Sequence, residues 1–259
     1  GGRERIFGSI GNAALFAGCE LLSVFLALTL AFHPQTSPRR RKWYLLAFGI
    51  MSVAVLMTAV RGSLLGLAVG LTIFAFLWMR HGGGQKARWG KRAAAFLIGL
   101  AVFWGIFSLL FNNSSFVNNS RYLKRVTNLS LTAVTVKTRV WAWQAGIKGW
   151  SEGAKTVLLG WGPENFNIPF SKHFNPKFYA GTGSETLFDR ALNLFIEILV
   201  TMGLVGILAY LGIFSALFAS LRKLLKNQDY SFYAIGLIPL VITYIIHNSF
   251  IFDTSPNFI

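Results

Sequence analysis

The chain has 259 residues, 54% hydrophobic and only 13% charged. A soluble domain carries about 25% charge, so a water-soluble globule is excluded and an all-α integral membrane protein is indicated. The net charge of +16 is gathered in short clusters between apolar runs, a pattern that sets membrane topology and argues against nucleic acid as the partner. The single cysteine, Cys19, excludes an internal disulfide and a cysteine-built metal site.

In chain order, six apolar runs stand out, at 10–32, 43–60, 63–79, 93–111, 191–221 and 231–252. Each approaches or exceeds the roughly 20 residues needed to cross about 30 Å of hydrocarbon. The fifth is long, so its first turns are expected outside the hydrocarbon. Basic clusters follow the first, third and fifth runs: Arg39, Arg40, Arg41 and Lys42; Arg80, Lys86, Arg88, Lys91 and Arg92; Arg222, Lys223 and Lys226. Cations favour the cytoplasmic side. Residues 3–10, the tight turn at Arg61-Gly62, the polar stretch 112–190 and the tail at Asp253 are then expected on the opposite face. The chain opens Gly-Gly-Arg and stops soon after Asp253-Thr254-Ser255-Pro256. It reads as the C-terminal excerpt of a longer chain, a single membrane domain over 1–259 with 112–190 as its extracytoplasmic loop.

Gly62, Gly66 and Gly70 recur every four residues and predict one helix face that another helix approaches closely. Within the polar stretch, Val140, Trp143, Ile147 and Trp150 share helical spacing over Val136–Trp150, with Arg139 and Lys148 among them. That spacing predicts an amphipathic helix at the membrane interface. Gly160-Trp161-Gly162-Pro163 reads as a turn. Trp161, Phe166, Phe170, Phe174, Phe178 and Tyr179 are expected near the headgroups.

The stretch holds few acids: Glu152, Glu164, Glu185 and Asp189. There is no nucleotide loop, metal-binding motif or nucleophile elbow, and neither metal nor cofactor is expected. The candidate constellation is cationic: Arg3, Arg5, Arg61, Arg139 and Arg190. A guanidinium meets phosphate with two parallel charge-assisted hydrogen bonds. The bland alternative is that such side chains merely reach up to lipid headgroups. Arg61 has almost no loop in which to float, and Arg139 opens an aromatic helix, so both fit a fixed site better. Glu20 and Glu197 fall inside apolar runs, where an ionisable group is costly. Glu197 is one helical turn from Asn193, so the two are expected to face one protein-lined cavity. Asp189-Arg190 marks the junction of loop and fifth span, either as a surface pair or as an orienting element.

Five ordered segments carry a resemblance. They are Arg5 with Phe7-Gly8-Ser9-Ile10-Gly11-Asn12-Ala13-Ala14-Leu15-Phe16-Ala17-Gly18; Thr58-Ala59-Val60-Arg61-Gly62-Ser63; Thr138-Arg139-Val140-Trp141-Ala142-Trp143; Leu159-Gly160-Trp161-Gly162-Pro163-Glu164-Asn165-Phe166; and Asp189-Arg190-Ala191-Leu192-Asn193-Leu194-Phe195-Ile196-Glu197 followed by Gly203. Together they resemble the O-antigen ligase and polymerase family of bacterial membrane glycosyltransferases. The resemblance implies a membrane-helical glycosyltransferase fold of the C-type, about six transmembrane helices plus a long extracytoplasmic loop with amphipathic helices. It implies a multi-pass protein of the bacterial cytoplasmic (inner) membrane with its active face outside. The implied reaction moves a glycan from an undecaprenyl-diphosphate-linked donor to an acceptor hydroxyl on a glycan, glycolipid or protein. Arg61 and Arg139, with Arg190, would hold the diphosphate, and Asp189 and Asn193 belong to the same candidate site.

The pattern departs from the family at Leu192, where a histidine normally precedes the asparagine. Leucine can neither accept nor donate a proton. Either His173, Glu185, Asp189, Glu197 or His247 serves instead, or the activity is lost or altered. The rival readings are a transporter or flippase of a polyprenyl-linked or anionic solute, and a non-catalytic lipid-binding homologue.

Overall fold

The computed structural model describes residues 6–81, 92, 114, 134–180, 186–227 and 229–251. Arg3, Arg5, Glu185 and the apolar run at 93–111 lie outside the described residues. Every regular element among the described residues is helical. The longer ones are α1 (Ala13–Phe32), α2 (Pro38–Thr58), α3 (Arg61–His81), α4 (Val134–Trp150), α5 (Ala154–Leu159), α6 (Asn167–Lys172), α7 (Leu194–Lys226) and α8 (Ser231–Asn248). Five of these, α1, α2, α3, α7 and α8, are long and apolar enough to cross a membrane. The chain is an all-α, multi-pass membrane protein, and five of the six expected spans stand among the described residues.

The chain divides into two compact units. The first comprises residues 1–129, 218–247 and 254–259. Its helices start where local chemistry dictates. Asn12 accepts the Ala14 N–H at 2.8 Å to cap α1, and Ser37 caps α2 with Pro38 in its first turn. Leu21, Val24, Phe25, Leu28, Val55 and Leu67 form the buried core. The glycine row expected on α3 is a contact face. A Cβ on Gly70 would lie 2.1 Å from Thr243 Oγ1 and 2.4 Å from Phe25 Cζ, closer than van der Waals contact permits. Thr243 Oγ1 also donates to the Gly66 carbonyl at 3.1 Å, tying α8 to α3. Apolar side chains such as Leu46, Ile50 and Val53 on α2 are exposed among the described residues, as suits a span that meets lipid.

The second unit comprises residues 130–217 and 248–253. Helix α4 forms where spacing predicts, but small residues share its packing face with Trp143 and Trp150. Ala142 and Ala145 are buried while Ile147 is exposed. The small residues bring α4 against its neighbours: a Cβ on Gly149 would sit 2.3 Å from Pro169 Cβ of α6. The aromatics serve differently from expectation as well. Phe166, Phe170, Phe178 and Phe188 are buried and make the core of the unit with Val200, leaving Tyr179 exposed. Phe170 meets Phe178 edge-on at 5.5 Å and 77°, a favoured ring geometry. Three tryptophans spend their indole N–H on backbone carbonyls: Trp143 on Ala191 at 2.6 Å, Trp150 on Val157 at 3.1 Å and Trp161 on Gly149 at 3.0 Å.

Helix α7 is broken at Gly203, whose φ of 67° and ψ of −164° are not helical and suit glycine almost alone. In an unbroken helix the Val200 and Thr201 carbonyls would accept from residues four further on. Here Trp161 N–H donates to Val200 O at 3.0 Å and Gly162 N–H to Thr201 O at 2.8 Å. The turn after α5 thus supplies the donors that the break removes. Residues 204–226 alone reach about 34 Å at 1.5 Å per residue, enough to cross a bilayer, so the turns before Gly203 form a separate segment.

Candidate functional site

Several polar atoms of the junction 189–197 are pinned. Asn193 Oδ1 accepts the N–H groups of Phe195 at 3.0 Å and Ile196 at 3.2 Å, the geometry of an N-cap. Its Nδ2 donates to Ser249 O at 3.0 Å. Arg139, half-buried on α4, donates from Nη1 to Phe250 O at 2.9 Å. Arg139 and Asn193 are therefore brought together on the successive carbonyls of Ser249 and Phe250. Ala191 donates its N–H to Glu197 Oε2 at 2.6 Å and accepts Trp143 Nε1 at its carbonyl. Between them Leu192 takes φ 51°, a left-handed conformation that costs a residue with a side chain about 1–2 kcal/mol. Its side chain packs on the aromatic core.

Arg190 carries the electrostatics. Its Nη2 meets Glu164 Oε1 at 2.7 Å and its Nη1 lies 3.6 Å from Glu197 Oε1. The hydrogen bond that Arg190 donates to Glu164 raises the guanidinium pKa above its ordinary value, with further help from the charges of Glu164, Glu197 and Asp189. Of the two readings of Asp189-Arg190, a simple surface pair is the lesser part, since Arg190 pairs with Glu164 and Glu197 and Asp189 adds only its charge. Glu197 is buried on the first turn of α7, where the helix dipole favours a carboxylate. A cavity of about 150 Å³ is lined by Pro163, Glu164, Arg190, Leu194, Glu197, Ile198, Thr201 and Met202. Asn193 is not among its lining residues, so it and Glu197 do not share that cavity as the helical spacing predicts.

His173 ends α6 with its Nε2 2.5 Å from Glu152 Oε1, while Lys172 Nζ holds Glu152 Oε2 at 2.5 Å. That trio is separate from the partners of Arg190. In the first unit, Arg61 is the first residue of α3. Two positions on, Ser63 Oγ and His247 Nδ1 are 2.9 Å apart, both buried. Sequence reasoning gave Ser63 no role and did not pair Glu164 with Arg190. The only available signal was that Ser63 follows Arg61 two positions on in the sequence.

These features define a multi-pass helical membrane protein whose polar residues collect at a span junction and at a broken helix. The chain matches the O-antigen ligase family over residues 46–211 and belongs to it. Family membership carries glycosyl transfer of the ligase and polymerase type, with a lipid-linked glycan and an acceptor as partners. No curated protein matches the chain.

Proposed function

We propose that the protein transfers a glycan from an undecaprenyl-diphosphate-linked donor to an acceptor hydroxyl at the outer face of the bacterial cytoplasmic membrane. The observation that carries this is the family match over residues 46–211, which contains Arg61, Arg139, Asp189, Arg190, Asn193 and Glu197. Arg61 and Arg139 each offer a guanidinium to the diphosphate, and fixed cations stabilise the charge that develops on it as the glycosyl bond breaks. Arg190 completes the cationic side while keeping Glu197 in place, and Asn193 and Asp189 frame the turn between them. The outer-face assignment rests on the basic residues at the other ends of these spans, among them Arg80 on α3 and Lys223 and Lys226 on α7.

The test uses the full chain reconstituted in vesicles, with lipid-linked oligosaccharide extracted from the host strain as donor. Arg61→Ala and Arg139→Ala should each abolish transfer while membrane insertion stays intact; full transfer by either removes its diphosphate role. Movement of the lipid-linked oligosaccharide across the vesicle without transfer would mark a flippase instead.

A further inference from the structure

Position 192 cannot move a proton in this chain, and its leucine is turned onto the aromatic core. The transfer still has to take one from the acceptor. Among the residues that offered themselves for that task, His173 is engaged by Glu152, and Asp189 is exposed and outside the cavity lining. Glu164 lines the cavity but is largely exposed, and its Oε1 is taken by Arg190. Glu185 lies outside the described residues, and His247, whose Nε2 also has no hydrogen bond among the described residues, faces Ser63 with its Nδ1 and does not line the cavity.

Glu197 stands apart. Its Oε2 is held by the N–H of Ala191, the residue just before Leu192. Its Oε1 is buried and receives no hydrogen bond among the described residues, with Arg190 Nη1 at 3.6 Å as a charge partner. A buried carboxylate oxygen lacking a donor is costly and calls for an occupant. The same residue lines the cavity of about 150 Å³ beside Glu164, Arg190 and Thr201.

We propose that Glu197, through Oε1, is the group that removes the proton from the acceptor hydroxyl, in the role that a histidine at position 192 would otherwise have. The inference rests on the reading of the protein as a glycan transferase. The hydroxyl proton passes to Oε1. The hydroxyl oxygen bonds to the anomeric carbon of the donor glycan, and the bond from that carbon to the diphosphate oxygen breaks. Undecaprenyl diphosphate leaves with the electron pair, and Glu197 releases its proton afterwards. The grip of Ala191 on Oε2 fixes the carboxylate plane, and Arg190 stays a cation throughout.

The discriminating variant is Glu197→Gln, whose amide oxygen keeps the hydrogen bond from Ala191 but cannot take a proton. In the full chain, kcat should fall about 100-fold or more, the usual scale of a lost general base. The donor KM and the affinity for undecaprenyl diphosphate alone should stay within about twofold, as uniform binding is untouched. Adding Leu192→His to Glu197→Gln should recover about tenfold or more of the lost rate, since an imidazole returns a base to the turn. A wild-type rate in Glu197→Gln overturns the proposal. So does a loss that follows a fall in Tm and weakens undecaprenyl diphosphate binding as much as it slows turnover. If the unaltered chain binds undecaprenyl diphosphate and transfers nothing, it is the transferase reading that fails.

Discussion

Gly160 and Gly203 each lie against the backbone that flanks the other. A Cβ on Gly160 would sit 2.3 Å from the Thr201 carbonyl carbon, and one on Gly203 would sit 2.3 Å from Leu158 O. Both have positive φ, 73° and 67°. The contact closes the turn onto the broken helix, and the hydrogen bonds from Trp161 and Gly162 follow from it.

Gly203→Ala and Gly160→Ala should therefore each destabilise the protein by about 3 kcal/mol or more, combining backbone strain with a backbone clash. Gly212→Ala on the same helix meets nothing within 4 Å and should raise stability by a few tenths to about 1 kcal/mol. Thermal unfolding in detergent compares the three.

The Arg190 pairs should be unequal. Removing Glu164, whose side chain is 74% exposed, should cost under about 1 kcal/mol, as exposed ion pairs do. Arg190→Met leaves the buried Glu197 carboxylate without its cation and should cost about 2–3 kcal/mol, below the full buried-pair figure because Arg190 is partly solvated. Denaturation of the two variants gives the difference.

Glu152 sets an acid dependence. The Lys172 and His173 side chains beside it hold its carboxyl below the ordinary value of 4.5. A lowered folded pKa stabilises the protein above the unfolded value and ceases to do so as pH falls through the folded one. Wild type and Glu152→Gln should differ in Tm above about pH 4.5 and converge at lower pH.

Ser63 and His247 should be coupled. Ser63→Ala leaves the buried His247 Nδ1 without its partner, at about 1–3 kcal/mol. A double-mutant cycle with His247→Phe should return a coupling of about 1 kcal/mol.

Leu192→Gly trades two opposing effects. It relieves about 1 kcal/mol of left-handed strain and loses a half-buried side chain worth about as much. Stability should change by less than about 1 kcal/mol, which equilibrium unfolding can resolve.

The spans were legible because bilayer-length apolar runs leave few alternatives, and the glycine row on α3 because spacing at four residues repeats on one face. The packing face of α4 was only partly legible. Trp143, Ile147 and Trp150 dominate any hydrophobic reading, and the two tryptophans do pack on the core, but the more deeply buried positions are Ala142, Ala145, Gly146 and Gly149, which owe their burial to smallness. The phenylalanines after Trp161 look the same whether they line a surface or fill a core, and only the tertiary structure separates these. The bond of Arg190 to Glu164 crosses a turn whose direction depends on the break at Gly203, and no local periodicity encodes that. Leu192 was visible as a departure, but its strained backbone and the Glu197 oxygen that receives no hydrogen bond among the described residues required coordinates.

A discontinuity at Gly203 also frees the chemistry from the angular register of the span. In a continuous helix, inserting one residue within 204–226 would turn everything beyond it by about 100° relative to Glu197. Here Glu197 and Asn193 take their bearings from Ala191, Ser249 and the 160–162 turn. The membrane-crossing half can drift in rotation to suit its lipid neighbours while the carboxylate keeps its aim.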